Sequence, residues 1–461
     1  MKGQDTEKKN IIFLAHSNND VDHFLPLIYG LKKSSLFTPR IFFLRFEEEV
    51  LSNKIHHELI KDLRIEKFSA LNFPEWPWIS RFLSRCLRVC FLLGGRRRAK
   101  VLFREKKYIK FFCKILYVIL DLFLKKFSAN LFPPARIERI LKRFTPHLLI
   151  IDIQIVEQQP PYSDLRSYLL AMVVQFFRKN HLPVFMIPHG AAIRYVRGED
   201  YPFNRPDIFK PDVLALSNEM EREVTQGLVG ENTRIVVLGD LRYDYEWVEK
   251  LEEYGKNIYM VQKPKGRKVI LYILGNLRFL SDEVYENEIH KDIISLLEKH
   301  PDWILWVKTH PRVIKDFDVL STLNSDMLSR IKVFGNDVDT NALIPYADIL
   351  ISTLSGVLFQ AIMKNRIALL YLRWKERFPY PVETIFDSAN CVLKAFSKEE
   401  LHRYFEDALS QKLSNPADAE EFYMKFVSGG IPLGKSLIDR YTVAIHGIIG
   451  EKGNERNTKS I

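Results

Sequence analysis

The sequence predicts an α/β protein made of two doubly wound, Rossmann-like domains in tandem. Three observations predict it. Short, near-continuous apolar runs recur along the chain, among them Asn10–Ala15, His147–Asp152 and Val269–Leu274, and strands of a parallel sheet covered on both faces read that way. Helix-like segments alternate with these runs, the pattern of repeated βαβ units. The chain has 461 residues, more than a single core supports, so two domains are expected.

The elements follow in order. Asn10–Ala15 is a first strand, Phe24–Lys33 a helix, and Pro39–Phe46, rich in aromatic and β-branched residues, a second strand. Residues 80–145 break the pattern with a basic, helix-like stretch containing GGRRRAK, which Pro133-Pro134 interrupts. The alternation resumes with a strand at His147–Asp152, a helix at Tyr168–Lys179, and strands at Pro183–Ile187, Asp212–Leu216 and Arg234–Leu238. A charged stretch around 246–266 joins this half to a second series. There the strands are Val269–Leu274, Trp303–Val307, Ile331–Phe334, Asp348–Ser352 and Ile367–Leu372, with helices at Ser281–Lys299, Asn341–Tyr346 and Ser355–Asn365. The expected division is residues 1–250, with the insert at about 80–145, then 266–450, then a disordered tail at 451–461. Ligands of such sheets bind at the carboxyl ends of the strands, which points to a cleft between two facing domains.

Composition narrows the class. Hydrophobic residues make up 47% and charged residues 27%, as in ordinary globular enzymes. The net charge of +11 suggests an acidic partner: nucleic acid, an anionic membrane or a phosphorylated substrate. Cys86, Cys90, Cys113 and Cys391 form no CxxC pair and no zinc-ligand spacing, which fits a reduced, cytoplasmic setting and no bound metal. The polar start MKGQDTEKKN lacks the apolar segment of a secretory signal. The run Phe111–Leu124 is too short to span a membrane and contains Lys114 and Asp121.

Three segments carry candidate chemistry. In WVKTHPR a buried strand opens into Lys308, His310 and Arg312, an arrangement suited to an anion. Pro311 biases His310 away from helical geometry. A solvated charged turn is the structural alternative. In Asp348–Ala361 a strand runs into STLSG and then a helix. Ser352, Thr353 and Ser355 offer hydroxyls, Gly356 permits close approach, and the helix start is an anion site or simply a serine cap. Two such loops on one sheet make a diphosphate site. In PVFMIPHG a strand ends at His189-Gly190, where a histidine can act as base, orient an acceptor hydroxyl or serve structure alone. His16, Asp20 and His23 lie in the first strand–helix loop; Asp20 is the favoured carboxylate base there, with a cap or solvated loop as its alternative.

Taken together, WVKTHPR, ADILISTLSGVLFQAIMKNRIALLYL, IPHG and VLGDLRYD resemble bacterial surface- and capsule-polysaccharide transferases of the GT-B fold, including the CDP-glycerol glycerophosphotransferases. The likeness covers about residues 183–372. It implies a GT-B-like fold, donor contacts through Lys308, His310, Ser355 and Gly356, and an acceptor-side place for His189. The reading of the strand ends and loops adds Arg312, Ser352, Thr353 and Gln360 on the donor side and His16 and Gly190 on the acceptor side, with His189, Asp20 and His310 as candidate catalytic groups. Gly239–Asp244 would close the N-terminal domain. The chain departs from the pattern at Gln360, where such families carry glutamate, and at Asn365-Arg366-Ile367.

The expected activity is metal-independent transfer of a sugar or related group from a nucleotide-activated donor to a glycan or lipid-linked acceptor, with no cofactor. The basic residues of 81–126 would touch an anionic membrane surface or lie solvated on the domain. Nucleic acid is set aside because no recognised binding motif accompanies the charge. Two rivals stay open: a nucleotide-sugar 2-epimerase-like isomerase, although its HVEAG and DSGG motifs are absent, and a non-catalytic scaffold of polysaccharide assembly.

Overall fold

A computed structural model describes residues 8–70, 133–153, 165–190, 211–274, 283–309, 318–373, 384–409 and 416–459, apart from 46, 52, 227, 228, 230, 336 and 354. The basic stretch 81–126, the run Phe111–Leu124, and His310 and Arg312 lie outside the described residues. The chain divides into two compact units. The first takes the described residues through His189, 211–242 and 437 onward; the second takes Gly190 and 243–436.

In the first unit, among the described residues, seven strands form one parallel sheet: β1 (Lys9–Ala15), β2 (Phe37–Phe43), β3 (Glu66–Ser69), β4 (Pro146–Asp152), β5 (Val184–Ile187), β6 (Val213–Leu216) and β7 (Arg234–Val237). Their order is β3-β2-β1-β4-β5-β6-β7. The order reverses between β1 and β4, so the two loops leaving these strands diverge and open a crevice at the carboxyl edge. Helices α1 (Asn18–Lys33), α2 (Lys54–Asp62) and α3 (Leu165–Lys179) belong to this unit. One core cluster shows how sheet and helix meet. Ile12 and Leu14, Leu149 and Ile151, and Val184 and Met186 alternate toward one face, where Leu169, Val173 and Phe177 of α3 recur every fourth residue. Each such side chain contributes about 1.5–3 kcal/mol when fully buried.

The second unit repeats the plan. Strands β8 (Lys268–Ile273), β9 (Trp303–Lys308), β10 (Ile331–Phe334), β11 (Ile349–Ser352), β12 (Ile367–Tyr371) and β13 (Val392–Ala395) pair in parallel in the order β10-β9-β8-β11-β12-β13. Its switch point lies between β8 and β11. The helices used below are α4 (Tyr245–Tyr259), α5 (Glu283–Lys299) and α6 (Val357–Met363).

Four expectations are corrected. The charged stretch at 246–266 is mostly α4, an ordered helix capped by Asp244, whose side chain accepts from Trp247 N at 3.0 Å. Trp247, Val248, Leu251 and Gly255 make a buried stripe at helical spacing, which the charged residues around it conceal. The tail at 451–461 is helical as far as Lys459, the end of α7 (Leu437–Lys459). Polar composition signals a lack of core, but Glu, Lys and Arg prolong a helix already nucleated upstream at little cost. That helix belongs to the first unit, where the Tyr441 hydroxyl donates to Gly239 O at 2.8 Å. A boundary at 450 for the second domain therefore gives way to one at Ser436. The helix expected at Asn341–Tyr346 is two 3₁₀ turns, Thr340–Ala342 and Ile344–Tyr346, with Pro345 at the start of the second.

Candidate functional site

The carboxyl edge of the first sheet gathers an unusual number of buried titratable groups. β1 ends in His16-Ser17, and Ser17 caps α1. Asp20 closes the capping box from the third helical position. Its Oδ2 accepts from His16 N at 2.7 Å, Ser17 N at 2.9 Å and His16 Nδ1 at 2.6 Å, and its Oδ1 accepts from Ser17 Oγ at 2.9 Å. Asp20 is fully buried and both of its oxygens are taken up. It caps α1 and fixes the ring of His16, whose Nδ1 donates and whose Nε2 is left over.

Asp152 is the last residue of β4 and is fully buried. Two imidazoles bind it. His23 of α1 donates from Nδ1 to Oδ2 at 2.6 Å, and His189, two residues past β5, reaches both oxygens from Nδ1 at 2.9 Å. The two rings meet edge to face with centroids 4.3 Å apart. Burial alone would raise the Asp152 carboxyl, but His189 and then His23 outweigh it and hold Asp152 below the usual carboxylate range. Burial alone would lower His189; the Asp152 carboxylate, with help from Asp20, outweighs burial and the nearby Arg242 and raises it. With Nδ1 committed to Asp152, Nε2 of His189 is the nitrogen that remains, and it makes no hydrogen bond among the described residues. Gly190 follows with φ at 90°, the left-handed region that favours glycine, so the chain can turn directly after His189.

His23 is held from its other side as well. Arg242 Nη1 lies 3.3 Å from His23 Nε2, and Arg242 Nε pairs with Asp22 at 2.8 Å. Asp22 also receives His56 Nε2 at 3.2 Å. Burial would raise Asp22, but Arg242 and then His56 hold it below the carboxylate range. His23, Asp152 and His189 offer ligand atoms within 4.8 Å of one another, close enough for a metal ion. Both imidazole–carboxylate contacts are nevertheless at hydrogen-bond length, and Arg242 occupies the outer nitrogen of His23. The cluster has the geometry of a hydrogen-bonded relay.

In the second unit the counterpart is an anion-friendly edge. Lys308 ends β9 and is 4% exposed; its Nζ donates to Thr309 O at 2.8 Å. Burial pushes its ammonium below the usual lysine value, an effect that Asp339 and Asp337 only partly counter. Ser352 ends β11, is fully buried, and its Oγ has no hydrogen-bond partner among the described residues. Ile273 of β8 pairs with Lys308 on one side and Ser352 on the other, so the two flank one residue of the central strand and share a face of the sheet. Thr353 is buried next to them. Ser355 Oγ accepts from Val357 N at 3.3 Å, just ahead of Gly356, which starts the short α6 with no side-chain cap. Gly356 O accepts from the Tyr243 hydroxyl at 3.1 Å. Gln360 of α6 is 5% exposed.

Of the candidates, the first unit brings together His16, Asp20 and His189, and the second places Lys308, Ser352 and Thr353 at its own strand ends. Asp152, Asp22, His56 and Arg242 were missed. The signals were present: Asp152 is a carboxylate ending an apolar strand run, and Arg242 lies inside GDLRYD.

No family model matches the chain, and no curated protein matches it in sequence. Solved structures do. A UDP-GlcNAc 2-epimerase from Neisseria meningitidis, solved with UDP-GlcNAc, is similar at a TM-score of 0.55 and 11% identity, covering 95% of this chain and all of that one. Another UDP-N-acetylglucosamine 2-epimerase reaches 0.57 at 10% identity over 96% of this chain and 97% of its own. The wall teichoic acid polymerase TagF, soaked with CDPG, reaches 0.52 at 12% identity over 97% of this chain and 90% of its own. The fold is GT-B-like. Two Rossmann-like parallel-sheet domains are what the sequence predicts, and the likeness extends over nearly the whole chain. Among the described residues, no helix is long and apolar enough to cross a membrane.

Proposed function

We propose that the chain is a GT-B-type transferase that moves a sugar or related group from a nucleotide-activated donor to a hydroxyl of a glycan or lipid-linked acceptor in bacterial surface-polysaccharide synthesis. The observation that carries this reading is the Asp152–His189 dyad at the switch point of the first sheet. A histidine held through Nδ1 by a buried carboxylate, with Nε2 unspent, is built to take a proton from a hydroxyl. As the acceptor oxygen forms its new bond, that proton passes to His189 Nε2, and the bond between the donor and its leaving phosphate oxygen breaks. In the second unit Lys308 neutralises the charge growing on that phosphate, and Ser352 Oγ donates a hydrogen bond to it. His310 and Arg312 follow Lys308 in the sequence and would add charge. The basic stretch 81–126 would bring the protein to an anionic membrane carrying a lipid-linked acceptor.

A 2-epimerase-like reaction is the second reading. Two histidine–carboxylate pairs, His16–Asp20 and His189–Asp152, stand beyond strands that flank β4, enough to take up a proton and return one. The fold shared with the solved 2-epimerases supports it, and Gln360 keeps a non-catalytic scaffold in view.

The test is a thermal-shift screen with UDP, GDP, CDP, CMP and TDP, repeated with Lys308→Ala. A ligand that binds only the native state raises Tm. The proposal expects a shift with one nucleotide class, lost in Lys308→Ala. No shift with any of them overturns it in favour of the scaffold.

A further inference from the structure

We infer that Arg242 is a positioning residue that fixes the tautomer of His23, so that His23 donates from Nδ1 to the same carboxylate that holds His189. The inference rests on the reading of His189 as the proton acceptor and on the geometry around it. His23 and His189 compete for one carboxylate, at 2.6 and 2.9 Å. His23 is 3% exposed, whereas the His189 side chain is 21% exposed.

Arg242 decides which nitrogen of His23 carries the proton. A guanidinium has only donors, so at 3.3 Å from His23 Nε2 it requires the lone pair on that nitrogen. The ring proton must then sit on Nδ1, which is where Asp152 accepts it. A second proton on Nε2 would face the guanidinium head-on. Arg242 is itself held by the fork geometry of its side chain: Nε pairs with Asp22 at 2.8 Å while Nη1 reaches the neighbouring His23. Asp22 is tied on its far side to His56 Nε2 at 3.2 Å, and His56 Nδ1 lies 3.2 Å from Asn18 Oδ1. Among the described residues, Asp22 and His56 anchor Arg242, Arg242 fixes His23, and Asp152 holds both His23 and His189, with Asp20 further along the same edge.

The test reads ring ¹⁵N and ¹H signals of histidine-labelled full-length protein across pH 5–9, for the native chain, Arg242→Met and Arg242→Lys. In the native protein the His23 signals should report its ring proton on Nδ1. If Arg242 acts only as a nearby positive charge, Arg242→Met raises the midpoint of His189 and leaves the His23 tautomer unchanged. If it fixes His23, its loss lets the ring proton redistribute between Nδ1 and Nε2. Arg242→Lys keeps the charge but cannot fork to Asp22 and His23 together, so it should show the same redistribution; it carries the test if Arg242→Met fails to fold. An unchanged His23 tautomer in both variants overturns the inference. No substrate enters these readouts, so they stand apart from the transfer reaction: if His189 is not the base, His189→Gln turns over normally while the ring signals of His23 are as described.

Discussion

Asp152 accepts from two imidazoles at once, the buried His23 from Nδ1 at 2.6 Å and the half-buried His189 from Nδ1 at 2.9 Å. One carboxylate at the end of one strand therefore joins the first helix of the unit to the loop after β5. Asp152→Asn removes the charge and puts a donor where an acceptor is needed for at least one ring. Turnover should fall about 10²–10⁴-fold, the usual worth of a positioned general base, while nucleotide-induced stabilisation persists. Steady-state rates and thermal shifts on the same preparation check both halves.

The pH dependence follows from the same pair. His189 is raised above the ordinary imidazole value of about 6.5, and it must be unprotonated to act as base. The acid limb of kcat/KM should therefore lie on the alkaline side of that value. Stability runs the other way: a raised histidine contributes below its unfolded value, and the contribution is lost as pH rises through the folded one. Asp152, held low, contributes above the unfolded carboxylate value and loses it as pH falls. A pH–rate profile and urea midpoints across the same range test the two directions.

Lys308 predicts a conflict between stability and binding. Its ammonium is nearly buried and, among the described residues, bonds only to a backbone carbonyl. Lys308→Met keeps the aliphatic length and removes a desolvated charge, so the ligand-free protein should be as stable as the native chain or more so. The stabilisation given by nucleotide should disappear. Melting curves with and without nucleotide separate the effects.

Gly30 lies on α1 where α7 crosses. A Cβ there would sit 2.0 Å from Cγ2 of Ile438. Gly→Ala inside a helix ordinarily gains about 0.5–1 kcal/mol, but overpacking costs about 1–3 kcal/mol. Gly30→Ala should be net destabilising, and Gly30→Ala with Ile438→Ala should recover part of the loss in urea unfolding.

The fold was legible because strands of parallel sheets are buried on both faces. LLIID, VILYI and WILW show as apolar runs whatever surrounds them. What failed to show was amphipathic or distant. The buried stripe of α4 is four residues in a charged background, and composition concealed it. The site was half legible. His189 and Lys308 stand at strand ends beside glycine or threonine, and a local reading reaches them. The relay does not show, because His23 and Asp152 are 129 residues apart and His23 and Arg242 are 219 apart. The strand order brings His23, Asp152 and His189 together from β1, β4 and β5, and Arg242 comes in after β7. Asp20 reads in the sequence as a base, a cap or a solvated loop residue alike, because a sequence does not display the backbone N–H groups of His16 and Ser17 that its carboxylate takes up.

The measurement that tests the central claim most directly is nucleotide release from a panel of UDP-, GDP-, CDP- and TDP-activated donors, with and without a mixture of sugar and polyol acceptors, by the native protein and by His189→Gln. The account predicts release from one donor class, stimulated by acceptor and reduced about 10²-fold or more in His189→Gln. Release with an epimerised sugar and no response to acceptor, or release unchanged in His189→Gln, would contradict it.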